Sequence, residues 1–463
     1  MRFFTKAIDQ YDIGFRAFPK SFDLAYNKAR LQYDITQQPR LVKLIAEPTA
    51  HLLIEARKSH IAAVDIDGNN TDALFNLAQL NASLSEAVLE AEGDVPSRKA
   101  EASGLLHQAL DLLTRCYEAQ ERSLDDETLL ADESSSSTNG QSVDDLYMEE
   151  ATQKETLVWA SLIEPVTEAV VFDTLLAQLN CLRSLCEIQS LLLNELPFIE
   201  AAYKEVAMNM QRLAPRSNHD REAVISRAAF QCAYASARFR LISLDIQSSD
   251  EEFSSGVAVF KTLPDLAGDA EALCAAGDAE VEFNASIEER VLELHEGSTE
   301  ALAAINRLRW THINCALDFF TAASKVPKVT NLARIHISRG DCELLRLRLG
   351  DEPFNYDFAE KSRDTLTRNA AVFYSAANKS SSSEGANLDL AETKLEIDVK
   401  LAIVASLRGD TGPFTTLSSS MTSKVTHQLD EIKDSGLVGG QTLKALHYLM
   451  MQRGSKVAGF DQD

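Results

Sequence analysis

Residues 7–19, AIDQYDIGFRAFP, and residues 56–68, ARKSHIAAVDIDG, carry the same arrangement of side chains. In each segment a small, a large and a small residue follow at intervals of four and three, which places them on one helix face. A chain-turning residue comes five positions later, and an aromatic-Asn-x-Ala motif begins seven positions after that, YNKA at 26–29 and FNLA at 75–78. Small residues let neighbouring helices approach closely, while the large residue fills the space opposite. The spacing therefore predicts packed helical hairpins.

This spacing resembles the tetratricopeptide repeat (TPR), a two-helix unit whose second helix carries the small-large-small stripe. Two later stripes have the same offsets: Ala316, Phe320, Ala323 and Ala370, Tyr374, Ala377. The resemblance implies an all-α fold. We expect a right-handed TPR-like helical solenoid, with an acidic disordered loop between its front and back halves.

The pattern along the chain predicts five segments. They are N-terminal TPR repeats at 1–121, a disordered acidic Ser-rich loop at 122–152, helical hairpins and TPR-like repeats at 153–378, a flexible loop at 379–387, and C-terminal helices with a frayed tail at 388–463. Residues 1–20 match the second helix of a repeat with no first helix before it. We therefore expect either a true half-repeat at the start or lost upstream sequence, and favour the second.

Composition favours a helical, acidic protein. Only 11 Pro and 19 Gly occur in 463 residues, and no sustained alternating pattern predicts a sheet. Asp and Glu number 70 against 45 Lys and Arg, so the formal net charge of −25 opposes direct binding to nucleic acid. Two interpretations of the acidity stay open: solubility of the surface, or complementarity to a basic client protein.

The predicted acidic loop is a candidate binding element. It has almost no apolar periodicity, so it cannot bury enough surface to offset the entropy of ordering it. Its densest charges are Asp125, Asp126, Glu127, Asp132 and Glu133. We expect a flexible acidic arm that attracts a basic partner, with an inert spacer as the alternative.

The sequence contains no recognisable chemistry of catalysis or metal binding. Seven cysteines, an odd number without a CxxC pair, predict buried thiols in a reducing compartment. No HExxH, phosphate-binding glycine loop or nucleophile elbow occurs, so we expect no catalytic residue, no metal and no cofactor. His60 occupies the large position of a repeat stripe, which predicts a packing role in the core. Without a signal peptide or a run of about 18 apolar residues, we expect no membrane association and a cytoplasmic location, with the nucleus as a second compartment.

The TPR resemblance also implies where a partner binds, because first-helix side chains line the groove of such arrays. The candidate residues are Asn27, Arg30, Asn76 and Gln79. Asn27 falls on the middle asparagine of the carboxylate clamp that grips heat-shock chaperone tails. Asp72 and Asn76 stand where that clamp needs Lys and Arg, so the sequence argues against a standard clamp.

These observations predict a non-enzymatic TPR scaffold or assembly chaperone that escorts a protein partner, a basic one in the favoured version. The arrangement is loosely similar to acidic TPR assembly chaperones, without the signature of a subfamily. Two alternatives stay open: a structural helical-repeat subunit of a larger complex, and an enzyme whose site carries no familiar motif. The pattern predicts neither the client nor an oligomeric state.

Overall fold

A computed structural model describes the following residues: 2–45, 48–91, 94–136, 166–188, 193–217, 219–242, 245–293, 299–381 and 389–457. Over these ranges the protein is all-α and contains no strand. The expected fold class is confirmed at this level.

The chain divides into two compact units, which are described separately. Unit 1 comprises Met1–Ser184 and Phe198–Ala223, and unit 2 comprises Leu185–Pro197 and Val224–Asp463. The helices from the first part of the chain are α1 (Arg2–Ala17), α2 (Phe22–Thr36), α3 (Pro39–Ile45), α4 (Thr49–Ile66), α5 (Thr71–Glu90), α6 (Val95–Ser136), α7 (Glu168–Glu187) and α8 (Leu196–Ser217).

The remaining helices belong to unit 2, apart from the first residues of α9. They are α9 (Asp220–Leu241), α10 (Ile246–Phe260), α11 (Ala270–Glu293), α12 (Thr299–Ala323), α13 (Leu332–Arg348), α14 (Asp357–Lys361), α15 (Arg363–Ser381), α16 (Asp389–Leu407), α17 (Gly412–Ser420), α18 (Thr422–Asp434) and α19 (Gly440–Val457). Two short 3₁₀ turns lie at Leu193–Glu195 and Leu266–Gly268.

Short polar side chains determine where several helices begin. Asn70 precedes α5, and its side-chain oxygen accepts a hydrogen bond from the backbone N–H of Ala73 at 3.0 Å. Ser21 caps α2 through the N–H of Leu24 at 3.5 Å. Such caps satisfy backbone donors that have no partner within the helix. Helix α5 accordingly begins at Thr71, directly after Asn70.

In unit 1, helices that follow one another in the chain pack as neighbours. Helix α2 contacts α4, α4 contacts α5, and α5 contacts α6. Small residues of the repeat pattern are fully buried in these helices: Ala56 and Ala63 of the second quoted segment, and Ala29 and Ala78 of the YNKA and FNLA motifs. Ala102 and Ala109 of α6 are fully buried as well. Helix α7 joins through polar contacts, since Thr174 donates to Gln120 at 2.9 Å and Gln178 donates to Thr114 at 3.2 Å.

In unit 2, the two later stripes also lie in the core. Ala316, Phe320 and Ala323 of α12 and Ala370, Tyr374 and Ala377 of α15 are all buried. Tyr374 lies directly over Gly340 of α13, where a Cβ atom would be only 2.4 Å from the ring. The predicted packing role of these two stripes is confirmed.

Helices extend into the first part of both predicted loops. Helix α6 passes residue 122 without a break and ends at Ser136, so the first part of the predicted disordered segment 122–152 is helical. Once a helix is nucleated, each further residue adds a hydrogen bond at little cost, and the packed first half of α6 supplies that nucleus. Helix α15 likewise continues to Ser381, into the predicted loop at 379–387. Residues 137–152 and 382–387 lie outside the described residues.

Helix α7 is apolar along much of its length. It is the one helix in the described ranges that is long and apolar enough to cross a membrane, judged by length and composition alone. Of its most apolar 18-residue window, 61% is buried within the protein, and the core helices of soluble proteins have the same composition.

Candidate partner-binding surface

Six polar residues form a continuous line along α5. They are Asp72, Asn76, Gln79, Ser83, Glu86 and Glu90, each three or four positions after the one before. Residues at this spacing lie on one face of a helix. The apolar residues of α5 point elsewhere and are buried, as Leu74, Leu77 and Leu84 show. We call this line the α5 polar stripe.

Two tyrosines of α2 make hydrogen bonds to the α5 polar stripe. Asn76 donates its side-chain amide to the hydroxyl of Tyr26 at 2.7 Å. The hydroxyl of Tyr33 lies 3.2 Å from that of Ser83. Burial raises the pKa of Tyr26, with a further contribution from Asp72, and burial together with Glu86 raises the pKa of Tyr33. Both phenols therefore stay protonated at neutral pH and can serve as hydrogen-bond donors.

His60 of α4 lies beneath these two tyrosines. Its ring is fully buried and meets Tyr26 and Tyr33 edge-on, with both centroid distances at 6.3 Å. Neither ring nitrogen has a hydrogen-bond partner. Desolvation lowers the pKa of His60 to about 4, so the ring is neutral at pH 7. The predicted core role of His60 is confirmed.

A pocket of about 210 Å³ lies between α5, α6 and α7. Its apolar lining comes from Ala78, Ala82, Leu106, Leu113, Ala177 and Cys181. Its polar lining comes from Gln79, Glu86, Asn180, Arg183 and Ser184. All of these residues belong to unit 1. The α5 polar stripe thus runs along one wall of a pocket that has a largely apolar interior, and we call it the α5 pocket.

Glu86 is the charged residue common to the α5 polar stripe and the α5 pocket. Desolvation by the surrounding helices raises the pKa of its carboxyl group, and the negative charge of Glu90 adds to this effect. Arg183 of α7 acts in the opposite direction. The carboxylate therefore lies in an environment that still favours a further positive charge.

The structure brings together two of the four predicted partner-binding residues. Asn76 and Gln79 both lie in the α5 polar stripe, one bonded to Tyr26 and the other lining the α5 pocket. Arg30 is exposed on α2, and its positive charge partly offsets the rise in the pKa of Tyr26. Asn27 is exposed one turn earlier on α2. Their role in binding stays a prediction.

Sequence reasoning missed several residues of this surface. Tyr26 begins the YNKA motif, but its bond to Asn76 was not predicted. Tyr33 and Glu86 belong to no quoted motif, although the spacing of the α5 polar stripe is visible in the sequence. Asn180 and Arg183 are separated from α5 by a long acidic stretch, so no local pattern connects them to it.

The predicted acidic arm lies elsewhere. The backbone of Asp125, Asp126, Glu127, Asp132 and Glu133 is part of helix α6, which corrects the expectation of a disordered chain at these positions. The role of these residues in binding stays a prediction.

A second cluster of ionisable residues lies in unit 2. His312 of α12 is buried, and its Nδ1 is 2.6 Å from a carboxylate oxygen of Glu280. Its Nε2 is 3.1 Å from Asp250, a close ionic approach that does not meet hydrogen-bond geometry. The rings of Phe253 and Phe283 meet the imidazole edge-on. Because its two ring nitrogens face carboxylates from two other helices, this histidine connects α10, α11 and α12.

Metal binding finds no support in the described ranges, where no three His, Cys, Asp or Glu residues are placed to hold an ion. The α5 polar stripe with the α5 pocket is therefore the better candidate for function, since its polar groups reach solvent beside an open apolar space.

Comparison with known proteins does not identify the function of this surface. No family model matches the chain, and no curated protein matches it. Its function is therefore inferred from its own residues.

Proposed function

We propose that this protein is a non-enzymatic TPR-type scaffold or assembly chaperone, and that it binds a segment of another protein along the α5 polar stripe. Helices α2/α4 and α5/α6 are then consecutive repeats in unit 1. Helices α2, α5 and α7 act as the first helices that line the binding surface. The right-handed solenoid belongs to the same proposal.

The packing in unit 1 supports the repeat assignment. Fully buried alanines recur in both helices of the first two hairpins, at positions where close helix approach is needed. The first helix α2 also contacts the next hairpin, since its Tyr26 and Tyr33 are hydrogen-bonded to α5. Such contacts between neighbours are the basis of stacked repeat arrays.

The observation that carries the proposal is the pairing of the α5 polar stripe with the α5 pocket. Polar side chains that reach solvent supply hydrogen bonds and charge, and the alanine and leucine lining supplies an apolar site for an anchoring side chain. Helix faces with this combination are common binding sites for peptide segments.

Affinity capture tests this proposal with a matched pair of variants. Gln79→Trp places an indole at the mouth of the α5 pocket. Glu101→Trp places one at an exposed position of α6 that does not line the pocket. We expect tagged wild-type protein and Glu101→Trp to retain the same stoichiometric partner from an extract of the source cells, and Gln79→Trp to lose it.

Circular dichroism should show equal helicity in all three proteins. If Gln79→Trp retains every partner of the wild type, the α5 surface is not the binding site and the proposal fails. If Gln79→Trp loses a single partner, that partner is the client. If the wild-type protein instead captures several partners in a fixed ratio, the alternative of a structural subunit is favoured.

A further inference from the structure

The α5 polar stripe has one sign of charge. It contains three carboxylates, Asp72, Glu86 and Glu90, and no cation. Positive charges nearby come from adjoining helices: Arg30 on α2, Arg183 on α7, and Arg98 on α6, which donates to the backbone carbonyl of Leu89 beside Glu90. Asp34 of α2 adds a fourth carboxylate nearby, and its charge contributes to the raised pKa of both Tyr26 and Tyr33. The surface around the two tyrosines is therefore acidic on balance.

The α5 pocket combines two environments. Its interior is lined by alanine and leucine side chains, and Glu86 stands among the polar residues at its edge. A volume of about 210 Å³ suits one long side chain and not a large ligand. Lysine and arginine match this division, because their aliphatic stems bury on apolar surface while the charged ends stay near polar groups.

Other anchoring side chains match less well. A leucine would fill the interior but would leave the Glu86 carboxylate more desolvated, with no positive charge added to that of Arg183. An acidic side chain would meet the like charges of Glu86 and Glu90, which oppose the attraction of Arg183. The two causes that raise the pKa of Glu86, desolvation and Glu90, are both offset by a cation.

We infer that the α5 pocket binds a lysine or arginine side chain from a basic segment of another protein, with its stem in the apolar interior and its cation beside Glu86. This inference rests on the proposed function. Charge complementarity selects the occupant. A second copy of this chain carries a net charge of −25, and nucleic acid is a polyanion, so neither complements the surface.

Fluorescence anisotropy on the full chain tests the inference with three labelled peptides. The peptides share a flexible Gly-Ser backbone and differ only at three positions, which are Lys in one, norleucine in the second and Glu in the third. We expect only the Lys peptide to bind. Its affinity should fall with added salt, because the attraction is partly between solvent-exposed charges.

The matched variants are Glu86→Gln and Glu101→Gln, both at exposed positions. Glu86→Gln should weaken binding of the Lys peptide about tenfold, as expected when one charged partner is removed. Glu101→Gln, on α6 and outside the pocket lining, should leave the affinity unchanged. Thermal melting of both variants should equal that of the wild type.

The inference would be overturned by equal affinity of Glu86→Gln and wild type for the Lys peptide, by norleucine binding as tight as Lys, or by preference for the Glu peptide. Absence of Lys binding would do the same. The capture experiment separates failure of this inference from failure of the proposed function. If Gln79→Trp loses its partner and Glu86→Gln keeps it, the surface binds a protein but not through a cation.

Discussion

Tyr26 and Tyr33 show how a residue acquires its role from a neighbour far away in the chain. Both belong to α2, and both bond to α5, about 50 residues later. The repeat pattern predicted Asn76 and Gln79 as surface residues of a first helix, because their position within the motif sets the direction of the side chain. It did not predict the bonds from the two tyrosines to α5, because the register between α2 and α5 depends on the packing of α4 between them.

His60 leads to a prediction about pH. In the unfolded chain its pKa is about 6.5, and burial lowers it to about 4 in the folded protein. The unfolded state therefore binds more protons between these values, so stability is complete above about pH 6.5 and is lost as the pH falls toward 4. His60→Phe removes this contribution and gives up no hydrogen bond, since neither ring nitrogen has a partner.

Denaturant unfolding at two pH values measures the effect. From about pH 7 to about pH 5, the wild type should lose roughly 2 kcal/mol more of its free energy of unfolding than His60→Phe does. Titration of carboxylates is common to both proteins and cancels in the difference. Equal losses would show that the His60 ring reaches water in the folded state.

At the scale of helices, periodicity was most informative where it recurred. The stripes of α12 and α15 are buried as predicted, because offsets of four and three define one helix face in any context. The end of α6 was not predictable from composition. Charged and serine-rich sequence is typical of loops, yet the packed first half of α6 allows its helix to extend to Ser136.

Two glycines within helices should respond to alanine in opposite ways. In Gly340→Ala the new methyl group would lie 2.4 Å from the ring of Tyr374, which is itself held by a 2.7 Å hydrogen bond to Asp341. We expect this variant to lose about 1–3 kcal/mol of stability through overpacking. In Gly104→Ala the methyl group meets nothing within 4 Å, so the better helix propensity of alanine should add about 0.5–1 kcal/mol.

Chemical denaturation of the two variants and the wild type provides the measurement. Stabilisation by both substitutions would mean that α13 and α15 are farther apart than the Gly340–Tyr374 contact indicates. Destabilisation by both would mean that Gly104 is also covered by a neighbour.

At the scale of the whole molecule, the division into units follows tertiary contacts and not composition. The predicted divisions at residues 121 and 152 lie at other places than the unit boundaries, which fall near residues 184, 198 and 224. The reason is visible in α7, which follows the acidic stretch but is hydrogen-bonded to α6 through Thr174 and Gln178. Such polar pairs leave no periodic signal in the sequence.

Each unit has its own buried residues, so we expect a core substitution to act mainly within its unit. Native-state hydrogen exchange can follow this in Gly340→Ala. Amide protection should fall in α13 and α15, which pack against each other, and should stay unchanged in α4 and α5. A uniform loss of protection throughout the described helices would instead indicate a single cooperative unit.

The seven free cysteines lead to a practical consequence. Five are buried and two are half-buried, and burial raises the pKa of every one, to about 12 at Cys116 and Cys181 and to about 11 at Cys274. Thiols react with alkylating reagents as thiolates, so the native thiols should react slowly until the helix around them opens. The rate of alkylation at each cysteine then reports how often its own helix opens. A cysteine introduced at an exposed position such as Asn27 should react first, so a fluorophore can be attached there without removing any native cysteine.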